Sequence, residues 1–315
     1  MTPRVPVGVS ACLIGQPVRY DGGHKRDDTL IDRLGAFVRF VPVCPEVELG
    51  LGTPRETLRL VRRGDENRLI MANGEDHTAA MRAYARQRVE ELAGDELCGY
   101  VLKRRSPSCG LSDLAVYDDE AIVARDGRGL FADALVTRWP NLPVVEEHQL
   151  ADEAELEHFV ERVEALARWR DLGRTAWALG DLVAFHTSHK LLLRAHSLSR
   201  YRELGRLVAV GAEYERRALA GEYEAQFMAA MAQPATRKTH ADALSHAMGH
   251  FRGRIDEMSR AVATDLIERF RLGRVPLAEP LACLHELASR CGVTYLEGQV
   301  YFEPRPIGPL AHPPA

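Results

Sequence analysis

Over the first half of the chain, short apolar runs alternate with polar stretches. "VPVGVSAC" (5–12), "FVRFVPVC" (37–44), "LCGYVLK" (97–103), "LAVY" (114–117) and "LPVVEE" (142–147) are dense in β-formers and short, so each is read as a strand. Between them lie helix-compatible segments, the clearest being "TAAMRAYARQRVEELA" over 78–93. Strands that alternate with helices pair in parallel, because each crossover returns the chain in the same direction. The pattern predicts an α/β domain with a Rossmann-like parallel sheet.

From residue 152 the period changes. In "DEAELEHFVERVEALARWRDLG" the apolar Leu156, Phe159, Val160, Val163 and Leu166 recur at helical spacing. One helical pattern then follows another to Leu272, broken at turn signals such as Gly173, Gly221, Pro234 and Gly273. The expected organisation is an α/β domain over 1–165 and an all-α domain over 166–315, with 152–170 as the connecting helix. The tail "EPRPIGPLAHPPA" (303–315) is proline-rich and expected to be extended or poorly ordered.

Composition narrows the class. The apolar fraction is 46% and the charged fraction 27%, ordinary values for a globular protein of 315 residues. The first ten residues lack the apolar core of a secretory signal, and no apolar run approaches membrane-spanning length. Six cysteines without close pairing fit a reducing compartment, so a cytoplasmic protein without a membrane partner is expected. The net charge of −4 exerts no general pull on nucleic acid. One stretch departs from that average. "HTSHKLLLRAHSLSRYRELGR" (186–206) carries Lys190, Arg194, Arg200, Arg202 and Arg206 against Glu203 alone. By itself it reads as a solvated basic helix.

The candidate chemistry lies in "KRRSPSCGLSD" (103–113), directly after a predicted strand. Pro107 fixes one φ angle, and Gly110 is read as taking a conformation closed to most residues. Cys109 is thereby presented on a stiff turn. Cys12 and Cys44 have the same placement, at or just beyond the carboxyl end of a strand, where ligands gather in open α/β sheets. Cys98 precedes its strand and reads as pointing into the core, whereas Cys283 and Cys291 sit in helical sequence and read as small apolar residues. Three convergent thiols suit a catalytic zinc, an iron–sulfur cluster with one iron left open, or a cysteine nucleophile paired with a histidine such as His24. Plain core cysteines remain a further reading. Glu46 is a carboxylate at the same edge, and Ser106 and Ser108 offer hydroxyls whose commoner role is turn capping. "RYDGGHKRD" (19–27) is a charged glycine turn with neither Walker nor Rossmann spacing. His186/His189 and His246/His250 have helical ligand spacing but no HExxH context, and read as structural or RNA-facing.

"SACLIGQPVRYDGGHKRD", "PVCPEVELGLGTPRETLRL", "GEDHT" and "LKRRSPSCGL", in that order, resemble the TudS-like thiouracil desulfurase family over about residues 6–165. "FHTSHKLLLRAHSLSRYRELG", "RKTHADALSHAMGHF" and "LEGQVYFEPRP" resemble the helical domain fused to it in tRNA 4-thiouridine desulfidases. His148 and Gln149 stand where that pattern has Gly-Arg. The resemblance implies a [4Fe-4S] cluster held by Cys12, Cys44 and Cys109, with one open iron, and non-redox removal of sulfur from a thiocarbonyl base. It implies proton transfer and substrate activation by Glu46 and Ser106. It implies thiolated tRNA as partner, with Lys190, Arg194, Arg200 and Arg202 as RNA contacts; free thionucleobases or thionucleosides are the alternative substrate. A cluster-bearing RNA sensor without catalysis is the alternative of another class, and it has no need of Glu46.

Overall fold

The structure is a computed structural model that describes residues 4–118, 120–174 and 176–303. The chain forms two compact units, Met1–Ala167 and Arg168–Ala315. The first is α/β and the second helical, as the two sequence periods predict. The proline-rich tail from residue 304 lies outside the described residues. No described helix is long and apolar enough to cross a membrane.

The first unit holds a parallel sheet in the order β2-β1-β5-β8. Its strands are β1 (Val5–Ser10), β2 (Val38–Val43), β5 (Gly99–Leu102) and β8 (Val144–Glu146). All four were anticipated from near-continuous apolar runs, the signature of strands covered on both faces. Two glycines let the layers approach. A Cβ at Gly8 would meet the Tyr100 ring at 2.2 Å, and one at Gly99 would meet Val163 at 2.7 Å. Helices α1 (Asp28–Leu34), α2 (Pro45–Glu48), α3 (Thr78–Glu91), α4 (Leu130–Arg138) and α5 (Glu153–Gly173) accompany the sheet. Val163 and Phe159 of α5 pack on Gly99, and Phe131 of α4 packs on Tyr100 at 5.9 Å.

A second sheet, in the order β4-β3-β6-β7, extends the picture drawn from sequence. It contains β3 (Leu58–Arg63), β4 (Glu66–Met71), β6 (Leu114–Asp118) and β7 (Ala121–Gly127). β3 pairs antiparallel with β4 and parallel with β6, while β6 pairs antiparallel with β7. Its inner face, Leu60, Leu69, Leu114 and Val116, packs on Met81 of α3. The strand expected at "LAVY" belongs here rather than in the parallel sheet.

The helical unit contains α6 (Leu179–Ser188), α7 (Lys190–His196), α8 (Leu198–Ala209), α9 (Arg216–Met231), α10 (Arg237–Met248), α11 (Glu257–Arg271), α12 (Ala278–Cys291) and α13 (Thr294–Glu297). The basic stretch 186–206 is therefore not one helix, and that expectation is corrected. α6 stops at His189, and Ser197 is extended (φ −156, ψ 104) between α7 and α8. A residue remote in sequence stabilises the first break. Leu191 N–H donates to Gln299 Oε1 at 3.0 Å, and Gln299 Nε2 donates to the Thr187 carbonyl at 2.6 Å. Both main-chain groups thus find partners that a continuous helix would have supplied.

Around this break lies an aromatic core. Trp169 stacks on Tyr223 at 5.0 Å, and Phe185 stacks on His189 at 4.0 Å. His186 and His189 are buried, and burial pulls both rings down to about 4. His189 Nδ1–H donates to the Phe185 carbonyl at 2.7 Å, and His186 Nδ1 shares a 3.1 Å bond with the Tyr223 hydroxyl. These histidines are structural. Because their folded values lie below the unfolded 6.5, their stabilisation is complete above about pH 6.5 and is lost as pH falls toward about 4. Each ring accounts for about 3 kcal/mol over that window. Urea denaturation followed by near-UV circular dichroism is expected to show this loss between pH 7 and 4.5. A midpoint that does not move in that window would contradict it.

Candidate active site

β1, β2 and β5 run in parallel register, Val9 opposite both Pro42 and Val101, so their carboxyl ends stop at one edge. Each end passes into a different kind of turn. β1 enters a 3₁₀ turn, Ala11–Ile14, which carries Cys12 and closes on Gly15 in the left-handed region (φ 91). β2 leads to Cys44, the N-cap of α2, with Pro45 in the first helical position. β5 leads to the turn that holds Cys109.

That last turn is held from below by α4. The Ser108 carbonyl accepts from the N–H groups of Phe131 (3.0 Å) and Ala132 (3.2 Å). Gly129 makes room, since a Cβ there would meet the Ser108 carbonyl carbon at 2.5 Å. Gly110 has an ordinary φ, which corrects the sequence reading. Its need is space, because a Cβ would meet Leu114 Cδ1 at 2.1 Å. The left-handed residues of this segment are Arg105 (φ 59) and Asp113 (φ 55).

The three cysteines line one cavity of about 190 Å³ together with Glu46, Ser106, Arg55, Lys103 and Arg19. Burial pushes the Cys12 thiol up to about 11, with Cys44 adding to it; the charges of Lys103 and Arg19 oppose. Cys44 and Cys109 are pushed up by burial as well, while a hydrogen bond from Ser10 favours the Cys109 thiolate. Three thiols held neutral beside one another can all ionise only if a cation arrives among them. Among the described residues no three His, Cys, Asp or Glu are arranged to hold a metal ion. The thiols border a space rather than converge on a point. All six cysteines are free, Cys98 is buried in the first unit, and Cys283 and Cys291 lie on α12.

Both carboxylates of the four-residue α2 are pinned. Glu46 Oε2 accepts from Arg55 Nε at 2.9 Å and from Arg55 Nη2; Glu46 Oε1 accepts from Ser108 Oγ at 2.9 Å. Glu48 Oε1 accepts from the Cys44 N–H at 3.0 Å. Glu48 Oε2 accepts from the Tyr84 hydroxyl (2.7 Å) and Arg88 Nε (2.9 Å), both on α3. Burial and that bond to Glu48 raise the Tyr84 phenol. Ser106 Oγ accepts from the N–H groups of Ser108 (3.3 Å) and Cys109 (3.1 Å), so Ser106 caps the turn and Ser108 reaches the carboxylate.

Several partners were not singled out from sequence. Arg55 stands in "TPRE", nine residues beyond Glu46, and nothing local tells that it folds back. Lys103 pairs with Glu147, which also accepts from the Arg104 N–H at 2.7 Å. His148 and Gln149, the departures from the family pattern, both serve the buried Glu146. Gln149 Oε1 accepts from the Glu146 N–H at 2.8 Å, and His148 Nδ1 lies 3.5 Å from its carboxylate. Glu146 in turn accepts from the Leu111 N–H at 2.8 Å, tying the cysteine turn to β8. His24 sits in an exposed turn outside the cavity wall, its Nδ1 accepting from the Arg26 N–H, so it is no partner for a cysteine nucleophile.

The four basic residues proposed as RNA contacts have different settings. Arg194 is paired with Asp242 at 2.9 Å, and Lys190 is half-buried at the start of α7. Arg200 lies 4.0 Å from Glu203, whereas Arg202 is exposed on α8 with Arg206 one turn on.

Residues 7–147 match the family model described as 2-thiouracil desulfurase, and residues 190–306 match a domain family of unknown function, DUF1722. The uncharacterized protein YbgA of Escherichia coli (strain K12) is 31% identical over 143 residues, 45% of this chain and 85% of that protein. A solved structure described as [4Fe-4S]-dependent thiouracil desulfidase TudS is 35% identical, covering 47% of this chain and 94% of that one, with a TM-score of 0.40.

Proposed function

Since the chain belongs to the 2-thiouracil desulfurase family through residues 7–147, followed by a DUF1722 domain, we propose that it removes sulfur from 4-thiouridine in tRNA to give uridine. The observation that carries this reading is one cavity lined by three thiols, a pinned carboxylate and a serine hydroxyl. Cys12, Cys44 and Cys109 hold a [4Fe-4S] cluster. The donor set fits: three soft sulfur ligands lining one cavity suit iron–sulfur ligation, and three rather than four would leave one iron open. When bound, the cluster supplies a soft Lewis acid for the thiocarbonyl sulfur, with no net electron transfer.

The protein's own groups perform the proton chemistry. Overall, C4=S and water become C4=O and H₂S, so the water gives up both its protons, the first as it attacks C4, and the departing sulfur gains two. Glu46 accepts the proton of the attacking water at its carboxylate. Both lone pairs of Ser106 Oγ are occupied by main-chain N–H groups, so its hydrogen is free to donate to the base and orient it.

Two features support a polynucleotide substrate: the joined helical domain and the exposed arginines of α8. A base within tRNA must be turned out of its stack to reach the cavity, and phosphate contacts elsewhere hold the strand while that happens. The second reading is a free thiobase or thionucleoside. It is favoured by the cavity, which the first unit builds entirely from its own residues.

Three outcomes are expected. Cys→Ala at 12, 44 or 109 lowers the iron bound after anaerobic reconstitution and abolishes turnover, whereas Cys98→Ala, Cys283→Ala and Cys291→Ala retain wild-type iron; iron loss in one of these three would overturn the ligand set. Glu46→Gln and Ser106→Ala keep the cluster's absorption spectrum but lose about a hundredfold or more in rate. Replacing Lys190, Arg194, Arg200 and Arg202 by Ala weakens tRNA binding and lowers the slope of log affinity against log salt by about 0.7 to 0.9 for each phosphate no longer neutralised. Thionucleoside turnover by that variant stays near wild type. If thiolated tRNA never reacts while the nucleoside does, the free-substrate reading replaces the first.

A further inference from the structure

We propose that Arg55 and Ser108 are positioning residues that clamp the Glu46 carboxylate from two sides, leaving it a single orientation toward the cavity. The inference rests on the desulfidase reading of the site. α2 has only four residues, so the helix itself gives Glu46 little rotational restraint. The restraint comes from its two partners. Arg55 Nε donates to Oε2 at 2.9 Å, with Nη2 on the same oxygen, and Ser108 Oγ donates to Oε1 at 2.9 Å. The Arg55 and Glu46 side chains are only 5% and 13% exposed.

Neither anchor is free to follow a moving carboxylate. Arg55 Nη1 also donates to the carbonyls of Val18 (3.0 Å) and Gly52 (2.9 Å), so the guanidinium ties two loops to α2 as it holds Glu46. Rotating it would break main-chain bonds as well as the ion pair. Ser108 is wholly buried, and its carbonyl is held by the first N–H groups of α4. A carboxylate has about four acceptor sites, and these anchors leave at least one open to the cavity that Glu46 lines. A proton acceptor fixed in this way meets the attacking water at one place, and a displacement of about 1 Å from such a place can cost about a hundredfold in rate. Arginine suits the task better than lysine, because its planar fork fixes direction whereas an ammonium fixes only distance.

The test compares Arg55→Gln, Arg55→Lys and Ser108→Ala with wild type, after anaerobic reconstitution, on thiolated tRNA and on 2-thiouracil. Arg55→Gln is expected to lower kcat by about a hundredfold with KM within about threefold and iron content unchanged. Arg55→Lys is expected to recover about tenfold of that loss, and Ser108→Ala to lose about tenfold. A second readout needs neither cluster nor turnover. In metal-free protein, NMR should show the Arg55 Nε–H exchanging with water at least about tenfold more slowly than exposed arginines, and Glu46→Gln should remove that protection. KM rising at constant kcat would make Arg55 a substrate contact and overturn the proposal. Iron content and melting temperature falling together, with Lys no better than Gln, would make it a purely structural residue and overturn it too. If wild type converts neither substrate, the desulfidase reading fails, and the exchange measurement alone decides whether the clamp exists.

Discussion

Three thiols, two buried and one half-buried, that line a single cleft together with cations constitute the constraint on which the rest of the first unit depends. Each thiol loses hydration on burial, which pushes Cys12, Cys44 and Cys109 all up; neighbouring thiols add to this at Cys12 and Cys109, and the Glu46 charge adds to it at Cys44. The parallel register of β1, β2 and β5 imposes this crowding by ending three strands at one edge. Lys103 and Arg19 act in the opposite sense at Cys12, as the Ser10 hydroxyl does at Cys109. A site with this balance gains most from a ligand that takes three thiolates at once.

The carboxylates of α2 answer the same crowding. Two acidic residues on a single turn, next to a thiol, would weaken the site if they were free to move. Instead each has a basic partner: Arg55 for Glu46, Arg88 for Glu48. Glu48 faces the main chain of Cys44 and the polar side of α3, whereas Glu46 faces the cavity. α3 also carries Met81 into the core of the second sheet. One helix thus packs that sheet and supports Glu48.

Much of this organisation was legible from residues. The four strands of the parallel sheet are apolar almost throughout, and the strand-end placement of three cysteines follows from parallel pairing alone. The second sheet was harder to see. In β3 ("LRLVRR") Arg62 shares the face of Leu60 while the buried Val61 shares that of Arg59, which breaks the alternation. The local clue was Gly64-Asp65, a two-residue hairpin with Gly64 at φ 61. Sequence could not say which of two serines, two positions apart in a tight turn, would reach Glu46. Nor could it show that Gln299, 108 residues beyond Leu191, interrupts the basic stretch. Both depend on contacts between segments far apart in the chain.

The central claim is that thiocarbonyl sulfur is exchanged for water oxygen without electron transfer, at a site built by Cys12, Cys44, Cys109 and Glu46. The most direct measurement incubates the anaerobically reconstituted protein with 4-thiouridine-containing tRNA in ¹⁸O-labelled water, with no electron donor or acceptor. The account predicts uridine carrying ¹⁸O at C4 and one sulfide released per base converted. Uridine without the label, or conversion that requires an added reductant or oxidant, would contradict it.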